Sequence, residues 1–171
     1  MNIQVLLFKF FPIYENETAE KTKKCYLCYM EIIELHGLAD AQAANLLELM
    51  KELNPALTVS AEMLRATTGA DGSHLFAWVS GDRIMGTATL CVFHSPTGCK
   101  GKIEDVVVAS AYRGQGLGRQ LVAHAMEYAR EHYAPIELSL TSNPSREKAN
   151  RLYRSLGFKP YETNVYKFEI Q

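Results

Sequence analysis

The feature that most constrains this chain is a run of glycines at alternate positions, Arg113-Gly114-Gln115-Gly116-Leu117-Gly118, set between segments of different periodicity. Before it, Ile103–Ala109 reads as a strand whose end, Val106-Val107-Val108, is continuously apolar and suited to burial on both faces. After it, from about Gly116 to His132, Leu117, Leu121, Val122, Ala125, Met126 and Ala129 form one apolar stripe of a long helix. Glycine reaches backbone angles closed to other residues, and the first amides of a helix find no acceptor within it. A strand–glycine turn–helix junction is therefore a concave array of N–H donors at the positive end of a helix dipole, which suits a pyrophosphate. Arg113 adds positive charge at its mouth.

Two familiar phosphate loops do not fit. A P-loop needs Gly-Lys-Ser/Thr at the helix start, where this chain has Gly118-Arg119-Gln120. The dinucleotide fingerprint G-x-G-x-x-G fails because Gly114-x-Gly116 is followed three places later by Arg119. On this evidence alone the segment could also be a tight turn that only packs.

The rest of the chain supplies elements around this junction. Residues 25–36, CYLCYMEIIELH, read as a first strand, and Asp40 as the N-cap of a helix over about 41–53 that Asn54-Pro55 stops. Ser60 caps a short second helix ending near Gly69. The strands His74–Val79 and Ile84–Phe93 are joined at Gly81-Asp82 as a hairpin. Ile136–Thr141 is a further strand, and Asn143-Pro144 opens a helix that Gly157 terminates. The tail Asn164–Ile170 alternates as a last strand. The order β-α-α-β-β-β-α-β-α-β predicts an α/β (α+β) domain around a mixed sheet.

Composition narrows the partners. The chain has 171 residues, enough for one domain with a real core. Its 18 basic residues against 19 acidic ones give a net charge of −1 and no general attraction to nucleic acid or an anionic membrane. An anionic ligand must then be held by local donors. No stretch reaches the roughly 20 apolar residues of a membrane span. The apolar opening MNIQVLLFKFFPI is interrupted by Lys9 and lacks a small-residue cleavage site, so a signal peptide is not expected. Residues 1–29 read as an extension ahead of a single domain over 30–171. Either Met30 is the native start, or the extension is an extra strand for a sheet edge or a partner chain. Cys25, Cys28, Cys91 and Cys99 are expected to be reduced thiols of a cytoplasmic protein. The histidines are scattered, His124 and His132 falling on a solvated helix face, and no metal site is expected.

The turn matches R/Q-x-x-G-x-G/A as Arg113-Gly-Gln-Gly116-Leu-Gly118, and an Ile-Glu-Asp-Val-Val-Val strand precedes it. Downstream stand Asn143, Asn150, Tyr153 and Leu156-Gly157-Phe158. In these two motifs, in this order, the chain resembles the GNAT acetyltransferase superfamily over about residues 30–170. The resemblance implies a mostly antiparallel central sheet flanked by helices and splayed between the family's fourth and fifth strands. It also implies acetyl-coenzyme A as co-substrate, with its pantetheine arm along Val106, Val107 and Val108. The pyrophosphate would lie on the amides of Arg113, Gly114, Gln115, Gly116, Leu117, Gly118 and Arg119, and Asn143 or Asn150 would contact the pantetheine or thioester region.

Amide formation needs a base to deprotonate the ammonium and an acid to protonate the departing thiolate. The family motif makes Tyr153 the acid, the alternative being a packing tyrosine. Glu104 is the candidate base: strand alternation would set it on one face with Val106 and Val108 and turn Asp105 the other way. The alternative is a strand-end charge that reaches solvent or pairs with a lysine. The oxyanion donor is expected to be a backbone N–H near Val106. The acceptor expected first is a small primary amine, with a protein N-terminus or lysine second. A non-catalytic acyl-coenzyme A sensor is the reading from another class. A homodimer is compatible with all of these.

Overall fold

A computed structural model describes residues 30–170. The expectations for the extension, for Cys25 and Cys28, and for the part of the first strand before Met30 lie outside the described residues. Five strands form one sheet in the order β1-β2-β3-β4-β5. They are β1 (Met30–Glu34), β2 (Ser73–Ser80), β3 (Arg83–Ser95), β4 (Gly98–Val108) and β5 (Ile136–Ser139). All neighbours are antiparallel except β4 and β5, which run parallel, so the sheet is mixed as expected.

Two layers of helix cover the sheet. α1 (Asp40–Leu53) and α2 (Ala61–Gly69) bury Leu46, Leu49, Met50 and Leu64 against Leu75, Ala77, Val79 and Val107. α3 (Leu117–Tyr133) and α4 (Glu147–Ser155) bury Leu121, Val122, Ala125 and Tyr153 against Phe76, Leu90 and Ile103. Successive residues of β2 thus serve opposite layers, which is why Leu75-Phe76-Ala77-Trp78-Val79 can be apolar throughout. No helix among the described residues is long and apolar enough to cross a membrane.

Several local readings need correction. β4 starts at Gly98, five residues before the expected strand, because it forms a long hairpin with β3. α1 starts at Asp40 itself; the Ala39 N–H donates to Gln42 Oε1, while Asp40 pairs across to Arg65 of α2. Ser60 caps α2 as expected, accepting from the Met63 N–H at 3.2 Å. α4 starts at Glu147 rather than at Asn143-Pro144. Asn143 Oδ1 instead accepts from the N–H and hydroxyl of Ser145, closing a turn before the helix. Residues 164–170 join no strand in this chain, and their side chains are exposed.

The histidines are less scattered than their sequence spacing suggests. His74 bridges Glu34 and Tyr133 at 2.7 Å on each ring nitrogen. His124 is half-buried edge-on to Phe76, and desolvation lowers its pKa against the opposing pull of Glu34 and Glu131. The i and i+8 helix positions do not form a purely solvated face, because Phe76 and Tyr128 build an aromatic floor beneath them.

Two irregularities of β4 prepare the functional site. First, Thr87 opposes Val107 and Thr89 opposes Glu104, so β4 takes three steps where β3 takes two. The extra residue is a β-bulge, and Asp105 there has φ 50°. The bulge reverses the alternation: Ile103, Val106 and Val108 pack in the α3/α4 layer and Val107 in the α1/α2 layer. Glu104 therefore does not share a face with Val106 and Val108. Second, β5 pairs with β4 only from Cys99 to Lys102. From Ile103 to Val108 that side of β4 has no strand beside it among the described residues, which is the expected splay.

Candidate active site

The glycine turn is built as a donor array. Gly114 and Gly116 have φ of 81° and 83°, the left-handed region that favours glycine. Gly116 occupies the N-cap of α3 and offers no side chain to its first amides. Among the described residues, no backbone N–H from Gly114 to Arg119 donates to a protein acceptor; the first to do so is Gln120, to the Gly116 carbonyl. Unpaired amides at a helix head, with the dipole behind them, form an anion cradle. Arg113 lines the outer cleft beside the turn, but its guanidinium is already engaged. Its Nε donates to the Val108 carbonyl at 2.9 Å and its guanidinium pairs with Glu52 at 3.0 Å. Glu52 also accepts the Ser110 N–H at 2.7 Å, so together they brace the turn against α1.

From the turn, a cleft follows the splay. Its outer part runs between Val106–Val108 of β4 and Arg146–Ala149 at the head of α4. Its inner part is lined by Ile103, Glu104, Asp105, Thr141, Arg146 and Tyr153, with Leu53, Asn54 and Leu57 across from them. Val106, Leu53 and Arg146 border both parts, which makes them one continuous channel. A long ligand with an anionic head fits this shape: donors at one end, a free strand edge along the middle, and reactive side chains at the other end.

Tyr153 is 8% exposed, and its ring packs edge-on to Phe158. Among the described residues its hydroxyl has no hydrogen-bond partner and is left to the cleft. Burial raises its pKa, partly countered by Arg146, so the phenol stays protonated at neutral pH. On the strand side, the bulge brings Glu104 and Asp105 to the same cavity. The expectation that Asp105 points away is thus reversed. Glu104 forms an ion pair with Lys102, the alternative envisaged for it. Asp105 is exposed at the rim of this cavity, and its pKa is raised, first by partial desolvation of the carboxyl and second by the neighbouring Glu104 charge.

Asn150 and Asn143 are brought together, but on each other. Asn150 Nδ2 donates to the carbonyls of Asn143 and Pro144, tying α4 to the loop before it. Arg119 turns its side chain to Ser155 on α4, leaving only its N–H at the cradle. Sequence reasoning missed Arg146, Asp105 and Glu52. Arg146 was hidden by starting α4 three residues early, since a residue just ahead of a helix points differently from one inside it.

The comparisons with known proteins agree with this geometry. The model of the acetyltransferase (GNAT) family matches residues 41–158. This chain belongs to that family. A glucosamine 6-phosphate N-acetyltransferase from Trypanosoma brucei brucei is 32% identical over 142 residues, covering 78% of this chain and 93% of the relative. Among solved structures, an acetyltransferase from Trypanosoma brucei aligns with TM-score 0.65 at 28% identity, covering 82% of this chain and 99% of the other. A putative acetyltransferase from Agrobacterium tumefaciens aligns with TM-score 0.69 at 26% identity, covering 81% and 99%. As a GNAT member the chain is an acyltransferase of the N-acetyltransferase type, and its five-stranded, mostly antiparallel sheet flanked by helices matches the family fold.

Proposed function

We propose that this acetyltransferase takes acetyl-coenzyme A as acyl donor and transfers the acetyl group directly to a small primary amine, with an amino-sugar phosphate as the favoured acceptor class. The observation that carries the reading is the set of unpaired amides from Gly114 to Arg119 opening onto a free β4 edge that leads to Tyr153. The cradle would hold the diphosphate, and Val106–Val108 would hold the pantetheine arm. Bound there, the thioester supplies an activated acetyl group and a thiolate leaving group.

The chain's own residues then do three things. Asp105 takes the ammonium proton, its raised pKa making it a better base than an ordinary aspartate. Glu104 stands beside it, raising that basicity and attracting a cationic amine to the same wall of the cavity. Tyr153 donates its proton to the leaving sulfur. Arg146, bordering both parts of the channel, is placed to meet an anionic group on the acceptor. The name of the 32% identical relative supports the amino-sugar phosphate class. The free thiols Cys91 and Cys99 fit a reducing compartment such as the cytoplasm.

The deciding experiment measures thiol release from acetyl-coenzyme A across a panel of amino-sugar phosphates, unphosphorylated amino sugars, aminoglycosides and peptide amines. Turnover led by the amino-sugar phosphates is expected. Turnover led by peptides would overturn the acceptor, and tight coenzyme A binding without turnover on any amine would favour a sensor.

A further inference from the structure

The wedge between β4 and β5 closes at one residue pair. Lys102 and Ser139 are the last to face each other across the parallel strands, and the inner cavity opens just beyond them, at Ile103 and Thr141. A ligand arm that follows the free edge of β4 inward from the glycine turn therefore ends close to Lys102.

β4 pairs regularly with β3 from Gly98 to Glu104, so Lys100, Lys102 and Glu104 share one face of the strand. Neighbours on that face are roughly 6.6 Å apart. The Lys102 ammonium rests on the Glu104 carboxylate, and Glu104 lines the cavity with Asp105 and Tyr153. Among the described residues, no other lysine pairs with a carboxylate of that cavity. With 41% of the Lys102 side chain and 34% of the Glu104 side chain open, solvent screens the pair and the ammonium is free to leave it. Arg146 also lines the cavity, but a guanidinium keeps its proton and is no nucleophile.

A primary amine on a flexible stem, seated on the wall that would receive an acceptor's ammonium, has the chemistry of an acceptor. Resting on the proposed roles of acetyl-coenzyme A and Tyr153, we infer that Lys102 is a self-acetylation site. With the acyl donor bound and no free amine present, the chain acetylates its own Lys102 Nζ. The Lys102 ammonium gives one proton to the Asp105 carboxylate. The freed nitrogen lone pair forms a bond to the thioester carbonyl carbon, and the carbon–sulfur bond breaks with its electron pair on sulfur. Sulfur takes the Tyr153 proton, and the second proton lost from nitrogen restores the phenol. The product amide carries no charge, so Glu104 is left without its partner. Lys100, one step back along the same face and opposite Glu137 of β5, pairs with no carboxylate of the cavity and serves as the internal control.

The test uses the full chain incubated with acetyl-coenzyme A alone, then digested with an endoproteinase that cuts at acidic residues and mapped by mass spectrometry. Lys102 is expected to be acetylated at least about tenfold faster than Lys100, at a rate that dilution of the protein does not change. Tyr153→Phe is expected to slow Lys102 acetylation by about 10²–10⁴ and to leave the Lys100 background alone. Lys102→Arg is expected to cut total acetyl uptake to that background. Equal rates at Lys102 and Lys100, Lys102 acetylation that survives Tyr153→Phe, or a rate that falls on dilution would each overturn the inference. The first two results would mean transfer without catalysis, and the third transfer between chains. Thiol release on the amine panel, read beside the peptide map, keeps the two readings apart. Turnover of amines with Lys102 unmodified overturns self-acetylation alone. Lys102 acetylation without turnover of any amine sustains it and overturns the small-amine acceptor, and the loss of both signals overturns both.

Discussion

Glu104 and Asp105 are neighbours in the chain, and both line the cavity that Tyr153 closes from the opposite side. In a regular strand one of the two would have turned away. The bulge, with Asp105 at φ 50°, makes a carboxylate pair out of a dipeptide. Replacing each in turn separates their roles. Asp105→Asn is expected to lower kcat/KM by about 10²–10⁴ and to abolish the rise of rate with pH. Glu104→Gln, which removes the neighbouring charge that raises the Asp105 pKa, is expected to move that rise to lower pH. A full pH–rate profile of both variants checks this. An unchanged profile in Asp105→Asn would remove Asp105 from the proposal.

The same residue affects stability with a definite sign. The folded-state pKa of Asp105 lies above its unfolded value of about 4. Its contribution is therefore fully present below the unfolded value and is lost as pH rises through the folded one. Asn tolerates the left-handed region as well as Asp does. Asp105→Asn is thus expected to melt at a higher temperature than wild type at pH 8 and to lose that advantage below pH 4, as measured by thermal melts across pH.

Tyr153→Phe keeps the ring that packs on Phe158 and removes only the hydroxyl. We expect kcat to fall by about 10²–10⁴, with the Kd for coenzyme A, read by calorimetry, nearly unchanged. A matching fall in coenzyme A affinity would show that the phenol holds ligand rather than moving a proton.

The glycines of the turn are not equivalent. Gly116 has φ 83°, so Gly116→Ala forces a side chain into the left-handed region at about 1–2 kcal/mol and distorts the cradle. Gly118 lies inside α3 with ordinary helical angles, and a Cβ there would stand 3.6 Å from Val108 and 3.8 Å from Leu152, which is normal contact. Gly118→Ala is expected to fold as well as wild type, while Gly116→Ala melts earlier and binds coenzyme A more weakly. Melting curves with and without coenzyme A distinguish the two.

Gly86 guards the bulged strand from the other side. A Cβ on it would come within 2.9 Å of the Val107 carbonyl, a backbone atom that cannot swing away. Gly86→Ala is expected to destabilise the fold by about 1–3 kcal/mol, measured by urea denaturation, and to raise KM for the acyl donor by displacing β4.

The sequence made the glycine turn, the long helix and the helical position of Tyr153 legible because each leaves a periodic or compositional mark: alternate glycines, an apolar stripe, a motif position. The splay was legible only through resemblance, since nothing in Ile136–Thr141 says where its pairing stops. The bulge was not legible. It inserts one residue into a strand without a glycine to flag it, so simple alternation put Glu104 on the wrong face. Arg146 was missed because Asn143 closes a turn before α4 rather than capping it, a choice made by the Ser145 donors. The tail at 164–170 shows a strand pattern that its own chain does not satisfy, since periodicity describes a preference and not a partner.

The gap between β4 and β5 bears on a hazard that open sheets face. A free strand edge ordinarily invites another polypeptide, which zips along it and seeds precipitation. Here the edge lies inside a wedge whose narrow end is stitched by the pairs from Cys99 to Lys102. The free stretch is short, Ile103 to Val108, closed by β5 at one end and by the glycine turn at the other, and broken by the bulge at Asp105. An intruding strand would find no regular ladder there to extend.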